Sequence, residues 1–208
     1  MLPLGPFLRD TTVVDWRQPA IRALARRLGR GRRPPDVVRA CFEWVRDRIP
    51  HTVDHALDRV TCGASEVLRE GTGFCYAKSH LLAALLRANG IAAGFVYQRL
   101  AIPGGRRFCL HGLNAVWLPE TGWHRVDARG PRPGLRADFD LRREILPYAC
   151  RTPGERLFPG VWAEPWPIVV DALRTHRDRA RLEAHLPDAP DPPPSSVVSA
   201  TAVTDAPR

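Results

Sequence analysis

The middle of the chain sets the terms for everything around it. Gly71 and Gly73 leave the backbone free to turn sharply in GTGFC, and CYAKSHLLAALLRAN then reads as one long apolar helix from about Cys75 to Asn89. Asn89-Gly90 ends that helix. Beyond it, Ala93 to Ala101, Leu110 to Leu118 and Trp123 to Ala128 read as strands, separated by the turn-forming sequences PGG and PETG. The order is helix first, antiparallel strands after.

The flanks are plainer. The first ten residues read as an irregular lead-in, after which Gln18 to Leu28 and Asp36 to Ile49 place apolar residues at helical spacing. Between them GRGRRPPD combines Gly, Pro and charge, and Asp36 is suited to accept from exposed amides at a helix start. A short helix around Ala64 to Arg69 precedes GTGFC, and Pro167 to Leu186 reads as a last helix anchored by Ile168, Val169, Leu173 and Leu182. From Pro187 onward the chain is rich in Pro, Ser, Ala and Thr, too poor in large apolar residues to offset ordering entropy, and is expected to be a disordered tail. The expected organisation is one domain over 1–186, with N-terminal helices in 17–49, a core at about 61–130 and a tail over 187–208.

Composition excludes several classes. The 31 basic and 22 acidic residues give a net charge of +9, yet Lys78 is the only lysine and the arginines are scattered without a dense run or interleaved aromatics. A solvated basic surface fits better than nucleic-acid binding. The 5 cysteines, Cys41, Cys62, Cys75, Cys109 and Cys150, form no CxxC pair, so reduced thiols are expected, not a disulfide framework or a zinc ribbon. MLPLGPFLRD lacks a basic n-region and a long apolar core, and no later stretch is long enough to cross a bilayer, so the default expectation is cytoplasmic, with no membrane partner.

Cys75 falls in the first turn of the apolar helix, where unpaired amides and the helix dipole favour an anion; a thiolate there is a ready nucleophile. Taken alone, a cysteine before an apolar helix is more often a small buried hydrophobe. His111, in LHGLNAVWL, carries the side chain best suited to accept a thiol proton and return it to a leaving amine. Asp127, in GWHRVDARG, can accept from the other imidazole nitrogen and orient the ring, although a strand-end Asp commonly makes turn hydrogen bonds. Side chains alternate across a strand, so hairpin register decides whether these two meet. Pairing Trp117 with Trp123 puts Asp127 opposite Leu113, on the face of His111; pairing Leu118 with Trp123 puts it opposite Asn114, on the wrong face. The first register is predicted.

Lys78 lies one turn after Cys75, where it would favour the thiolate or, more commonly, face solvent. Trp117, Trp123 and Tyr76 are cleft candidates that more often prove to be core, and Asn114 suits either substrate or backbone groups. Cys109 shares the strand face of His111, with packing its commoner role.

Together the blocks GTGFCYAKSHLLAALLRANGIAAGFVYQRL, HGLNAVWL and GWHRVDARG resemble the transglutaminase-like superfamily, in its small bacterial form, over roughly Thr61 to Gly130. The resemblance implies a papain-like α+β fold in which the Cys helix packs on an antiparallel sheet carrying His and Asp. It implies Cys75 as nucleophile, His111 as general base and acid, and Asp127 as orienter, with the Cys75 amide as one oxyanion donor and the second unassigned. The sequence departs from many relatives in Gly-Leu-Asn after His111 and Ala-Arg-Gly after Asp127. The activity implied is attack on an amide or ester of a peptide, protein or small molecule through a thioester, resolved by water in a cysteine peptidase or amidase or by an amine in a transglutaminase. A non-enzymatic interaction module is the reading from another class, and a zinc site of Cys75, His111, Asp127 and Cys109 a third. Nothing in the sequence calls for a cofactor or for calcium, and it leaves oligomeric state open.

Overall fold

The computed structural model describes residues 3–104, 107–132, 134–193 and 198–199. A 3-10 turn at Gly5–Leu8 leads into helices α1 (Pro19–Gly29), α2 (Pro34–Arg48), α3 (Ala64–Glu70) and α4 (Cys75–Ala88). Strands β1 (Ala93–Ala101), β2 (Phe108–Leu118) and β3 (Gly122–Val126) follow, then the short strands β4 (Arg156–Leu157) and β5 (Gly160–Val161). Helices α5 (Pro167–Thr175) and α6 (Arg179–Ala184) and the strand β6 (Val198–Ser199) are the last elements among the described residues. The fold is α+β: helices pack against a curled antiparallel sheet of order β3-β2-β1-β4, while β5 and β6 pair separately.

Helix α4 has no solvent face, since every residue from Tyr76 to Arg87 is buried. α1, α2 and α3 pack against it on one side and β1 and β2 on the other. Leu110, Val116 and Leu118 of β2 join the core built on α4, whereas Leu113 and Ala115 join a smaller cluster around Phe7 and Trp123 on the opposite face. That alternation is what a strand buried on both faces requires. Its second cover is supplied by the lead-in, irregular apart from its 3-10 turn: the Phe7 and Trp123 rings lie 4.7 Å apart.

Other expectations shift with tertiary contacts. α2 starts at Pro34, with prolines in its first turn and Arg33 as the N-cap residue, so Asp36 lies inside the helix and makes no cap bond. The single last helix is instead two, because the chain between them pairs with an earlier loop: Arg177 O accepts the Val60 amide at 3.5 Å and the Arg179 amide donates to Asp58 O at 2.9 Å. Asp178 then caps α6 through the Arg181 amide. The expected tail also begins later than composition suggests. Pro187 O accepts the Leu110 amide at 2.7 Å, and Asp188 holds Arg99 at 2.6 and 2.7 Å. Of the rest of that tail, 194–197 and 200–208 lie outside the described residues.

Gly94 on β1 marks the tightest approach between the sheet and the 160–163 segment. A Cβ there would lie 2.5 Å from Val161 Cγ1 and 2.9 Å from Trp162 O, the second of these being backbone that cannot swing aside. We expect Gly94→Ala to cost about 1–3 kcal/mol in urea unfolding, as overpacking does. Gly5→Ala, where nothing lies within 4 Å, should unfold like the wild type.

Candidate active site

The loop before α4 is pinned from two directions. The Thr52 amide donates to Gly73 O at 3.2 Å, the Gly73 amide to Pro50 O at 3.5 Å, and Thr61 Oγ1 to Thr72 O at 2.9 Å. Cys75 therefore starts its helix from a fixed point. No side chain caps that helix, so its first-turn amides are not taken by a neighbouring oxygen of that kind. Gly112 lets this end of the helix lie close against β2, because a Cβ there would sit 2.9 Å from Tyr76 Cδ1. The neighbour of Gly112 is His111.

β2 and β3 adopt the Trp117-to-Trp123 register, with Asn114 opposite Val126, which places Asp127 across from Leu113. His111 Nε2 donates to Asp127 Oδ2 at 2.5 Å, and both side chains are buried. Asp127 also fills the turn role open to it, its Oδ1 accepting the Arg129 amide at 2.9 Å. Cys75 lines the same cleft as His111 and lies near enough to act on its ring. Burial works against charge on His111, but the Asp127 carboxylate, by charge and hydrogen bond, and the neighbouring Cys75 outweigh it and raise the imidazolium pKa to about 10. The Tyr148 ring stands edge-on to His111 at 4.8 Å, shielding the His111–Asp127 pair from water. Gln98, opposite His111 on β1, fixes the Tyr148 segment by donating to Tyr148 O at 3.0 Å.

Cys75 and His111 open onto a mostly apolar cleft of about 460 Å³, with Phe74, Leu100, Leu110 and Leu186 among its walls. Cys109 shares it, its thiol pKa pushed up to about 12, chiefly by burial. A larger, shallower groove of about 600 Å³ between α2 and the segment at 136–145 holds no nucleophile. Its charges are largely paired, Arg46 and Arg136 with Asp138 and Arg143 with Asp140.

The remaining candidates divide. Tyr76 lines the cleft while its hydroxyl donates to Leu110 O. Trp117 and Trp123 pack in the opposite cluster, and Asn114 Nδ2 donates to Ser79 O at 3.0 Å and Gly94 O at 3.2 Å, so it serves the backbone. Lys78 neither faces solvent nor serves the thiol. It is 1% exposed, and its ammonium donates to Ile49 O and, at 3.4 Å, to Arg46 O at the C-terminal end of α2. Burial, only partly offset by Asp127, lowers its pKa to about 7. Among the described residues, no group of three or more His, Cys, Asp and Glu side chains is placed to hold a metal ion.

Several cleft residues carry no motif. Arg129 grips Asp54 through both terminal nitrogens, at 2.7 and 2.9 Å. His51, buried beside them, is held well below its usual pKa by burial first and then by Arg129, Lys78, His111 and Arg132. Only Arg129 leaves a trace in the sequence, as the departure that follows Asp127.

Residues 22–128, just over half of the chain, match the family described as the transglutaminase-like superfamily. A Cytophaga hutchinsonii protein provisionally named a cysteine protease shares the fold, with a TM-score of 0.51 and 19% identity over 62% of this chain and 43% of its own. The periplasmic domain of TgpA from Pseudomonas aeruginosa is 26% identical over 53% of this chain and 42% of its own, with a TM-score of 0.42. The match thus spans less than half of either protein. No curated protein matches the chain. Among the described residues, no helix is long and apolar enough to cross a membrane.

His111 and Lys78 pull stability in opposite directions with pH. Between about 6.5 and about 10 the folded protein holds a proton on His111 that the unfolded chain releases, so raising the pH weakens the fold through this group. Between about 7 and 10.5 the unfolded chain holds the extra proton on Lys78, so raising the pH strengthens the fold. The buried thiols Cys41, Cys62 and Cys109, whose pKa values burial raises, also keep protons that the unfolded chain releases as the pH climbs past about 9, so they add to the weakening there. The difference in unfolding free energy between the wild type and Lys78→Met, from urea titrations, cancels those other groups and should grow in favour of the wild type from about pH 7 to about pH 10.

Proposed function

Since this chain belongs to the transglutaminase-like superfamily, we propose that it is a thiol enzyme attacking an amide or ester carbonyl through Cys75, with hydrolysis as its outcome. The observation that carries this reading is the buried His111–Asp127 hydrogen bond, with His111 and Cys75 together on the wall of a cleft large enough for a substrate. His111 holds the Cys75 proton before the substrate arrives, so that an imidazolium stands beside a thiolate. The sulfur then adds to the carbonyl carbon, and the carbonyl electron pair moves to oxygen, which the Cys75 amide at the uncapped end of α4 can stabilise. Collapse expels the amine or alcohol, protonated by His111, and leaves a thioester. Water, deprotonated by His111, releases the acid and restores the thiol. Asp127 holds the ring and balances its charge throughout. The apolar walls favour an acyl donor with apolar groups around the reacting carbonyl.

Iodoacetamide labelling, followed at each cysteine by mass spectrometry, tests the reading. Cys75 should label at about pH 6 faster than N-acetylcysteine, and His111→Ala should slow it by about a hundred-fold, the lower range of general-base contributions. Labelling no faster than N-acetylcysteine, and indifferent to His111, would leave the chain without an activated nucleophile and sink the proposal.

A further inference from the structure

The cleft around Cys75 is electrically two-sided. β1 and β3 flank β2 on opposite sides, so groups attached to the end of β1 and groups that follow β3 lie on opposite sides of His111. Glu155 marks the β1 side, its carboxylate fixed by the Ala101, Arg151 and Thr152 amides at 2.8 to 2.9 Å. Arg129 and Arg132 mark the other side, and both line the cleft together with Cys75. These two guanidiniums share one carboxylate. Arg129 holds Asp54 in a two-pronged grip at 2.7 and 2.9 Å, while Arg132 Nη1 stands 3.6 Å from the same carboxylate. One negative charge between two positive ones leaves one cation unbalanced. The burial says which, since the Arg129 side chain is 4% exposed and the Arg132 side chain 46%. Arg132 makes no other ion pair among the described residues. The neighbouring imidazole registers this surplus: His51 is kept neutral by burial and by the cations around it, Arg129 and Arg132 included.

We propose that Arg132 is a substrate-binding residue that receives a carboxylate of the acyl donor, so that the preferred substrates are short peptides or amino-acid amides with a free carboxylate close to the bond attacked, in place of uncharged internal peptide bonds. Arg129 is the preorganised half of this subsite: its guanidinium is locked on Asp54 and stacked near Tyr148, 5.8 Å from the ring centre, and it supports the field without being free to move. Arg132 is the half that can reach. A guanidinium meeting a carboxylate at the mouth of an apolar cleft, where water is partly excluded, gains more than the same pair in open solvent. The inference rests on Cys75 being the nucleophile of the proposed reaction, and its test separates the two.

The probes are iodoacetate and iodoacetamide, which react alike: the Cys75 thiolate forms a bond to the CH₂ carbon, the carbon–iodine bond breaks, iodide leaves and the proton that Cys75 gave up stays on His111. They differ in one carboxylate. The iodoacetate-to-iodoacetamide rate ratio at Cys75, at neutral pH and low salt, is divided by the same ratio for N-acetylcysteine, which cancels intrinsic reactivity. We expect Cys75 to favour iodoacetate over N-acetylcysteine by about five- to ten-fold, the size of one close charge pair at partial solvent exposure. That preference should disappear in Arg132→Gln and in high salt, and persist in Arg132→Lys. Arg26→Gln, an exposed arginine on α1, controls for overall net charge and should leave the preference in place. Fast labelling by both reagents with the same ratio as N-acetylcysteine, or a raised ratio that Arg132→Gln does not lower, overturns the carboxylate subsite and leaves the thiol enzyme standing. Labelling of Cys75 by neither reagent faster than N-acetylcysteine overturns both.

Discussion

A helix buried on all sides must satisfy its polar side chains inside the protein, and the rest of this structure is arranged around how α4 does so. Lys78 donates to carbonyls ending α2. His80 Nδ1 meets Cys62 O at 2.8 Å, and Arg87 donates to Ala93 O, to Arg9 O at 2.9 Å and to Ala163 O. Apart from the two at the end of α2, each of these acceptors belongs to a different segment. Leaving any one of these donors unpaired would cost on the order of 1–3 kcal/mol, and more for the two cations. The helix is therefore stapled to α2, to the loop before α3, to the lead-in, to β1 and to the chain after β5. Cys75, at its first residue, inherits a position set by all of them.

Much of this is legible in the sequence because it depends on local rules. The long apolar run with glycines before it and Asn-Gly after it specifies α4, and alternation with turn residues specifies β1, β2 and β3. The meeting of His111 with Asp127 follows from a single choice of register, since slipping the hairpin by one residue would turn Asp127 to the other face. Trp123, opposite Trp117 in this register, packs its ring against Phe7 at 4.7 Å, and a slip would turn it away from that contact.

What the sequence hides is decided by partners far along the chain. The pattern from Pro167 to Leu186 suits one helix, yet the peptide groups around Arg177 and Arg179 are bonded to Asp58 and Val60, and the helix is interrupted to allow it. Pro187 and Asp188 have a disordered composition, but Leu110 and Arg99 offer a free amide and a guanidinium at the place the chain arrives. Lys78 follows Cys75 by a turn, which suggests service to the thiol, whereas two carbonyls at the end of α2 are nearer and claim the ammonium. In each case a local preference of a few tenths of a kcal/mol, as helix propensities and exposed i to i+3 pairs supply, is set against a buried hydrogen bond of about 1 kcal/mol or more.

The two imidazoles of the cleft show how finely this arrangement partitions charge. His51 and His111 are both buried and both line the same cleft, yet one is kept neutral and the other cationic. The difference lies in whose carboxylate is free. Asp54 stands 3.9 Å from His51, but Arg129 already holds both of its oxygens. Asp127 gives one oxygen to the Arg129 amide and keeps the other for His111 at 2.5 Å. A charged imidazole there can hold a thiolate beside it and release a proton to a leaving group, while a second charged imidazole at His51 would add repulsion with nothing to balance it. Arg129 thus shapes the site from both ends: its side chain occupies the carboxylate that could ionise His51, and its backbone amide steadies the carboxylate that ionises His111.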